Sequence, residues 1–152
     1  MQNPKYYEVL SYLTNAEKIL KEKAGKKNGE YANIEIVQTA SRIAYDAVIL
    51  AIDAYLEEKE ELKFTKPNNI EEYRLRVAKQ NEELLNSLNA AYDMLYLVGF
   101  YHGTLSKRTM ANGLSAARTI LNFLPKKIIE VKKYSQKNVR VSISLDSGVK
   151  QI

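Results

Sequence analysis

The sequence predicts an all-α fold: an antiparallel up-and-down bundle of four main helices, followed by a short basic helix and a strand-like or disordered C-terminal tail. Three observations support this prediction. Apolar residues recur at steps of three and four along most of the chain, as they do in amphipathic helices. Among its 152 residues there are 6 Gly and 3 Pro, so few positions break helices. This length fits one globular domain and is too short for two ordinary ones.

The first predicted helix runs from Pro4 to about Ala24, where the apolar residues form one stripe. Proline is tolerated in the first turn of a helix, so Pro4 suits this start. Gly25 and Gly29 bound the break that follows. The second helix covers about residues 32–58 and is apolar almost all round. Such a helix is expected at the centre of a bundle.

The third helix begins after Asn69, which is a good N-cap residue. Its apolar stripe then continues in heptad register as far as His102. Asn81 is the one polar residue in this stripe before His102. The pattern therefore fits either one long helix that ends near Gly103, with a bend, or two helices joined near residues 81–86. We favour the single helix.

The fourth helix is predicted from about Lys107 to Phe123, because Pro125 cannot continue it. After Pro125, residues 126–134 are predicted to form a short basic helix. We therefore divide the chain into a helical bundle domain, residues 1–125, and a basic C-terminal extension that takes up the remainder.

Within this extension, residues 139–145 alternate apolar and polar side chains and are rich in β-branched residues. This alternation is typical of a β-strand. A lone strand is not stable, so it would have to pair with a second copy, pair with a partner, lie over the bundle or stay disordered.

The residue types exclude several kinds of chemistry. The chain has no cysteine, which excludes disulfides, thiolate metal sites and thiol nucleophiles. His102 is the only histidine, which excludes His-rich metal sites. We expect no metal ion and no cofactor. No glycine is followed by the Gly-Lys-Ser/Thr of a phosphate-binding loop. There is also no apolar run of membrane-spanning length and no signal-peptide pattern, and we expect a cytoplasmic protein without membrane contact.

The positive charge is concentrated at the C-terminal end. The whole chain carries a formal charge of +5, whereas residues 1–125 hold 16 basic and 16 acidic side chains. Residues 126–152 hold 7 basic and 2 acidic side chains. A basic tail can bind nucleic acid or another anionic partner, although it is more often only solvated. The candidate phosphate-binding residues are Lys126, Lys127, Lys132 and Lys133.

Tyrosine is unusually frequent, with 11 Tyr against 3 Phe and no Trp. Tyr92, Tyr96 and Tyr101, together with Tyr45 and Tyr55 on the second helix, could stack bases or line a ligand pocket. We favour core packing, in which each buried hydroxyl needs a partner. The candidate hydroxyl partners are Asp46, Asp53, Asp93 and Arg118.

Two carboxylates on the second helix, Asp46 and Asp53, lie seven residues apart on one otherwise apolar face. Arg42 lies four residues before Asp46, which is the spacing of a helical ion pair. We therefore expect an ion pair that sets the bundle register rather than a pair of acid–base groups.

Two segments resemble HEPN-type helical bundles. One is residues 40–56, a helix rich in small residues with inward tyrosines, and the other is residues 90–103, which close a later helix. The similarity is closest to an uncharacterised bacterial branch of small HEPN-like proteins and covers about residues 5–124. It implies an up-and-down bundle that dimerises. Many HEPN proteins are ribonucleases with an arginine a few residues before a histidine, whereas here His102 precedes Arg108, so the resemblance implies nucleotide or RNA binding without cleavage.

We predict a non-enzymatic binding or interaction protein that is homodimeric and works through a helix face. The alternative is a HEPN-like nucleic-acid- or nucleotide-binding protein, or a ribonuclease of that type that uses His102, Arg108 and Arg118. A nuclease needs its base and cations in one groove open to solvent, whereas an interaction protein needs an apolar surface patch. Because His102 continues the heptad stripe, we expect its side chain to point toward the bundle in a structural role.

Overall fold

The structure, a computed structural model, describes residues 1–132 and 138–143, with side chains as far as Ile128. It confirms the predicted all-α bundle. The helices are α1 (Pro4–Lys23), α2 (Ile34–Glu60), α3 (Ile70–Gln80), α4 (Glu82–Ala91) and α5 (Lys107–Leu121). A π-helix, Tyr92–Gly103, directly continues α4, and a 3₁₀ turn, Glu61–Lys63, follows α2.

Local capping sets the start of every α-helix. Each begins after an asparagine or serine whose side-chain oxygen accepts a hydrogen bond from a backbone N–H of the first turn, which pairs a donor that the helix leaves free. The prediction that Asn69 caps the third helix is confirmed, with Glu72 N–H donating to Asn69 Oδ1 over 2.9 Å. The capping residues are Asn3, Asn33, Asn69, Asn81 and Ser106.

Helix α2 occupies the centre of the bundle, as predicted from its apolar character. It contacts α1, the π-helix and α5 most extensively and also touches α3 and α4. Ala40, Ala44, Ala47 and Ala51 are almost fully buried. These small side chains allow neighbouring helices to pack closely against α2 from several sides.

The prediction of a single helix over residues 70–103 is wrong, and the two-helix alternative is the one observed. Asn81 has an extended backbone, with φ −164° and ψ 121°. Its N–H donates to Val77 O over 2.9 Å and closes α3, while its side chain accepts from Leu84 N–H over 2.9 Å and opens α4. Asparagine competes with the helix in this way because its short side chain can replace a backbone acceptor.

The π-helix changes which residues face the bundle. Its i→i+5 hydrogen bonds wind more residues into each turn than an α-helix does, so the buried positions after Ala91 are Leu95 and Gly99. The heptad positions Val98 and His102 are exposed instead. The prediction that His102 points toward the bundle is therefore wrong, since the heptad register is lost after Leu95, within the π-helix.

The prediction of a short basic helix over residues 126–134 is also wrong. Residues Lys127–Lys132 form strand β3, which pairs antiparallel with strand β4, Asn138–Ile143. The strand expected over residues 139–145 is thus confirmed as far as Ile143, while residues 144–145 lie outside the described residues, as do residues 133–137. Ile128, Ile129 and Val131 favour a strand because they are β-branched, and β4 supplies the hydrogen-bonding partner.

The N-terminus joins this C-terminal ribbon to the bundle. Asn3 N–H donates to Lys126 O over 2.7 Å, Ile128 N–H donates to Met1 O over 2.9 Å, and the buried Asn3 side chain donates to Pro125 O over 2.8 Å. The division into residues 1–125 and 126–152 stays a prediction. No helix within the described residues is long and apolar enough to cross a membrane.

A second, very short antiparallel pair links α1 to α2. It consists of strand β1, Lys26–Lys27, and strand β2, Glu30–Tyr31, which together we call the α1–α2 hairpin. Gly25 ends α1 with a φ of +68°, a left-handed conformation that glycine adopts without steric cost. The break predicted at Gly25 and Gly29 is therefore confirmed as a tight hairpin.

Candidate functional site

Three aromatic rings form a row along the π-helix. Tyr92 and Tyr96 are stacked, with ring centroids 5.3 Å apart and planes inclined by 15°. Phe100 continues the row, with its centroid 5.8 Å from that of Tyr96. All three side chains are half-buried, so each ring packs against the bundle and also meets solvent. Offset aromatic pairs of this kind are favourable beyond the area that they bury.

Tyr45 of α2 lies beneath this row. Its ring centroid is 6.0 Å from that of Tyr92 and 5.1 Å from that of Tyr96. Burial raises the pKa of the Tyr45 hydroxyl far above its ordinary value, and the neighbouring Tyr92 raises that pKa further. Tyr45 therefore stays neutral and supports the row as a packing residue, which agrees with the predicted core role for this ring.

An arginine lies at each end of the row. Arg42 Cζ is 5.1 Å from the Phe100 centroid, and Arg74 Cζ is 5.0 Å from the Tyr92 centroid. A guanidinium over a ring face at this distance makes a cation–π contact. We call this surface, formed by Arg42, Tyr45, Arg74, Tyr92, Tyr96 and Phe100, the tyrosine–arginine face.

Acidic and amide groups hold both guanidiniums in place. Arg42 Nε donates to Asp46 Oδ1 over 3.1 Å, which confirms the ion pair predicted from the spacing on the second helix. Arg74 donates to Asn89 Oδ1 over 2.8 Å and to Glu71 Oε2 over 2.9 Å. Each guanidinium therefore has a hydrogen-bond acceptor on the protein itself beside its ring contact.

An open pocket of about 330 Å³ lies beside Arg42 and Tyr45 and reaches Asp53 and Lys66. Tyr73 Oη donates to Asp53 Oδ1 over 2.7 Å. Lys66 Nζ donates to Asp53 Oδ2 over 2.5 Å and to Tyr73 Oη over 3.0 Å. This triad joins the loop before α3 to α2. Asp53 thus has a structural role, as predicted, and burial raises the pKa of the Tyr73 hydroxyl to about 12.

The raised pKa of Tyr73 predicts a loss of stability at alkaline pH. The hydroxyl ionises near pH 10 in the unfolded chain and near 12 in the folded one, so its contribution is complete below pH 10 and is lost as the pH rises toward 12. When tyrosine ionisation is followed by ultraviolet absorbance as the pH is raised, Tyr73→Phe should reduce by one the number of tyrosines that ionise at the most alkaline end of the titration. Tyr101→Phe, at an exposed site, is the control. If the number of tyrosines that ionise at this alkaline end is unchanged in Tyr73→Phe, the assignment is contradicted.

The three predicted catalytic candidates do not share one arrangement. Arg118 makes a bidentate ion pair with Glu17 of α1, over 2.9 and 2.6 Å, so its guanidinium already has a partner. His102 is exposed and packs edge-on against Tyr101, with centroids 5.1 Å apart. Arg108 is exposed and forms no ion pair or hydrogen bond within residues 1–132 and 138–143. Their catalytic role stays a prediction.

The predicted binding residues fall into separate places. Tyr92 and Tyr96 meet in the tyrosine–arginine face, whereas Tyr101 is 68% exposed beside His102. Lys126 Nζ lies 5.7 Å from the Tyr6 ring centroid, and Lys127 is exposed at the start of β3. The Lys132 side chain lies outside the described part of the structure, and Lys133 lies outside the described residues altogether.

The sequence analysis missed three residues of the face. Phe100 could have been found, because it lies four residues after Tyr96 just as Tyr96 lies four after Tyr92. Arg42 was identified only as the partner of Asp46, and Arg74 was not identified at all. These arginines come from α2 and α3, so only the tertiary packing brings them to the π-helix. Among the described residues, no cluster of three or more His, Asp or Glu side chains could hold a metal ion.

Comparison with known proteins places this chain among proteins of unknown function. No curated protein matches it. A solved structure described as a protein of unknown function from Dyadobacter fermentans is similar, with 29% sequence identity and a TM-score of 0.70. The alignment covers 78% of this chain and 92% of that one. A family model, "Domain of unknown function (DUF5618)", matches residues 4–126. Neither this family model nor the similar structure carries information specific to HEPN proteins. The chain therefore belongs to the DUF5618 family.

Proposed function

We propose that this protein is a non-enzymatic binding protein that works through the tyrosine–arginine face, and that its partner there is a second copy of the chain. The observation that carries the proposal is the row of half-exposed rings with a guanidinium over the ring at each end. Tyrosine and arginine are enriched where protein interfaces gain most of their binding energy. π-Helical segments also occur frequently at functional sites, and the row lies entirely on one.

The charges around the face favour a protein partner over a nucleic acid. Arg42 is paired with Asp46 and Arg74 with Glu71, so the two cations of the face have two anions beside them. A nucleic-acid site needs an excess of positive charge to replace the counterions of the phosphates. A face that carries both signs can instead complement itself across a two-fold axis, where each patch meets its own copy.

Further apolar side chains are exposed on or just after the π-helix. Val98, Tyr101 and Leu105 are 37%, 68% and 39% exposed. Exposed apolar side chains are common on protein surfaces, so the proposal depends on the ring row and not on these three residues.

The proposal is tested by sedimentation of the purified chain over a wide concentration range. We expect a concentration-dependent dimer for the wild type. Tyr92→Ala/Tyr96→Ala should weaken it by more than tenfold, because truncating a central aromatic residue costs at least about 2 kcal/mol. Tyr7→Ala, which changes an exposed tyrosine of α1, is the matched control. The proposal would be contradicted by a monomer at every concentration or by a dimer that the double variant leaves intact.

The HEPN-like nucleic-acid reading is the second candidate. It is favoured by His102 and Arg108, which are both exposed on either side of the turn between the π-helix and α5, and by rings on which bases could stack. The measurement is the anisotropy of a labelled single-stranded RNA at low salt, with gel analysis of its integrity. Absence of binding removes this candidate, whereas cleavage that is lost in His102→Asn at unchanged stability would establish a nuclease.

A further inference from the structure

An open cleft of about 530 Å³ lies between the C-terminal end of α1, the α1–α2 hairpin and the first half of α5. Its volume falls within the range of roughly 300–1,000 Å³ that is usual for small-molecule sites. We call it the lysine cleft. Its floor is formed by Leu20, Tyr31 and Leu114, and its rim by Lys21, Lys26 and Lys107.

The floor is apolar and fixed in position. Leu20 is buried, and Tyr31 and Leu114 are half-buried against the core. Tyr31 N–H donates to Leu105 O over 3.0 Å, which fastens the hairpin to the turn before α5. Since the floor is held by both packing and backbone hydrogen bonds, the cleft exists without a ligand.

The rim carries three ammonium groups without neutralising partners. Lys21, Lys26 and Lys107 form no ion pair with any residue that the structure describes, and Lys107 Nζ lies 5.4 Å from the Tyr31 ring centroid. Glu17 is the one acidic residue of the lining, and its carboxylate is already held by Arg118 over 2.9 and 2.6 Å. The cleft lining therefore holds three lysines and one acidic residue, which is paired with Arg118, over an apolar floor.

The carboxylate of Glu30 occupies a backbone amide that could otherwise bind an anion in the cleft. Glu30 Oε1 accepts a hydrogen bond from the backbone N–H of Lys107 over 3.0 Å, so that amide at the start of α5 is occupied. An anion in the cleft would therefore be held by the lysine side chains and not by this amide of α5.

We propose that the lysine cleft binds an organic phosphate monoester, with the phosphate against the lysines and a planar or apolar body against Leu20, Tyr31 and Leu114. A phosphate monoester carries nearly two negative charges at neutral pH, which matches the excess of the rim better than a single carboxylate does. An apolar floor favours a ligand with a carbon body over a bare ion. The cleft shares no residue with the tyrosine–arginine face, so this proposal stands or fails independently of the proposed dimer.

Titration calorimetry of the full chain with four probes tests the proposal. Adenosine 5′-monophosphate and phenyl phosphate should bind. Adenosine, which lacks the charge, and inorganic phosphate, which lacks the body, should each bind at least about tenfold more weakly. Affinity for the monoesters should fall as salt is added, because exposed charges are screened. If neither monoester binds at millimolar concentration, or if inorganic phosphate binds as tightly as both, the proposal is overturned.

Variants assign the binding to the cleft. Lys21→Gln/Lys26→Gln should weaken monoester binding by about tenfold or more, since each lost ammonium removes a charge-assisted hydrogen bond. The matched control is Lys18→Gln/Lys23→Gln, which removes the same charge from exposed positions of α1 that do not line the cleft. Both double variants change exposed side chains and should fold. Equal affinities in the two double variants would overturn the assignment.

Discussion

Gly99→Ala is expected to lower the free energy of unfolding by about 2–3 kcal/mol, as overpacking of a close contact does. A Cβ atom at Gly99 would overlap Ser41 Oγ and lie 2.8 Å from Ser41 Cβ. Ser41 is fully buried on α2 and its hydroxyl donates to Met110 Sδ over 3.3 Å, so it has little room to move. The π-helix would have to separate from the central helix. Urea denaturation measures the loss.

A second substitution isolates this contact. Ser41→Gly removes the two nearest atoms that the new methyl group would meet and leaves Met94 O at 3.0 Å, at a cost of about 1 kcal/mol for glycine within a helix. In that background Gly99→Ala should therefore cost less than it does in the wild type, and the difference is the coupling energy of the pair. The same loss in both backgrounds would show that Gly99 is required for another reason than its approach to Ser41.

Arg76→Met is expected to destabilise the protein by about 2 kcal/mol, because it leaves partly buried carboxylate groups without their donor. Arg76 donates to Glu60 over 3.0 and 2.5 Å, to Glu72 over 3.0 Å and to Thr65 O over 2.6 Å. Its side chain is only 15% exposed and that of Glu60 only 18%. One guanidinium thus joins the end of α2, the following loop and α3.

Thermal or urea denaturation checks this second expectation. Arg108→Met is the matched control, since Arg108 is exposed and makes no ion pair or hydrogen bond with the residues described, and it should change stability by no more than about 0.5 kcal/mol. Equal effects of the two substitutions would mean that the Arg76 network contributes nothing beyond an exposed arginine. Glu60→Gln should recover part of the loss in the Arg76→Met background, because it removes the unpaired charge.

The bundle itself could be predicted from the sequence because its determinants are local. The stripe of α1, the all-round apolar character of α2 and the N-cap at Asn69 depend on residues a few positions apart. The ion pair of Arg42 with Asp46 was likewise predicted from their separation of four residues along the helix. Each of these features follows from helix geometry alone, so no knowledge of the neighbouring helices was needed.

For other features, the local sequence pattern left alternatives open. At Asn81, a local pattern allowed both a continuous helix and a cap, and the observed structure takes the cap. Residues 127–132 favour a strand only when β4 is there to pair with them, since helix and strand compete closely in so short a segment. The sequence pattern predicted the strand over residues 139–145 but did not predict which segment pairs with it.

The candidate site shows the same division. The tyrosines of the π-helix were identified from the sequence, but the heptad register placed His102 inward, and the π-winding turned it outward while bringing Gly99 against Ser41. Arg42 and Arg74 reach the ring row from two other helices. Sequence by itself determined which segments of the bundle are helical and which side chains could bind, because periodicity and capping act within a few residues. Tertiary packing alone decided the register of the π-helix and the meeting of rings with guanidiniums, because both depend on contacts between residues far apart in the chain.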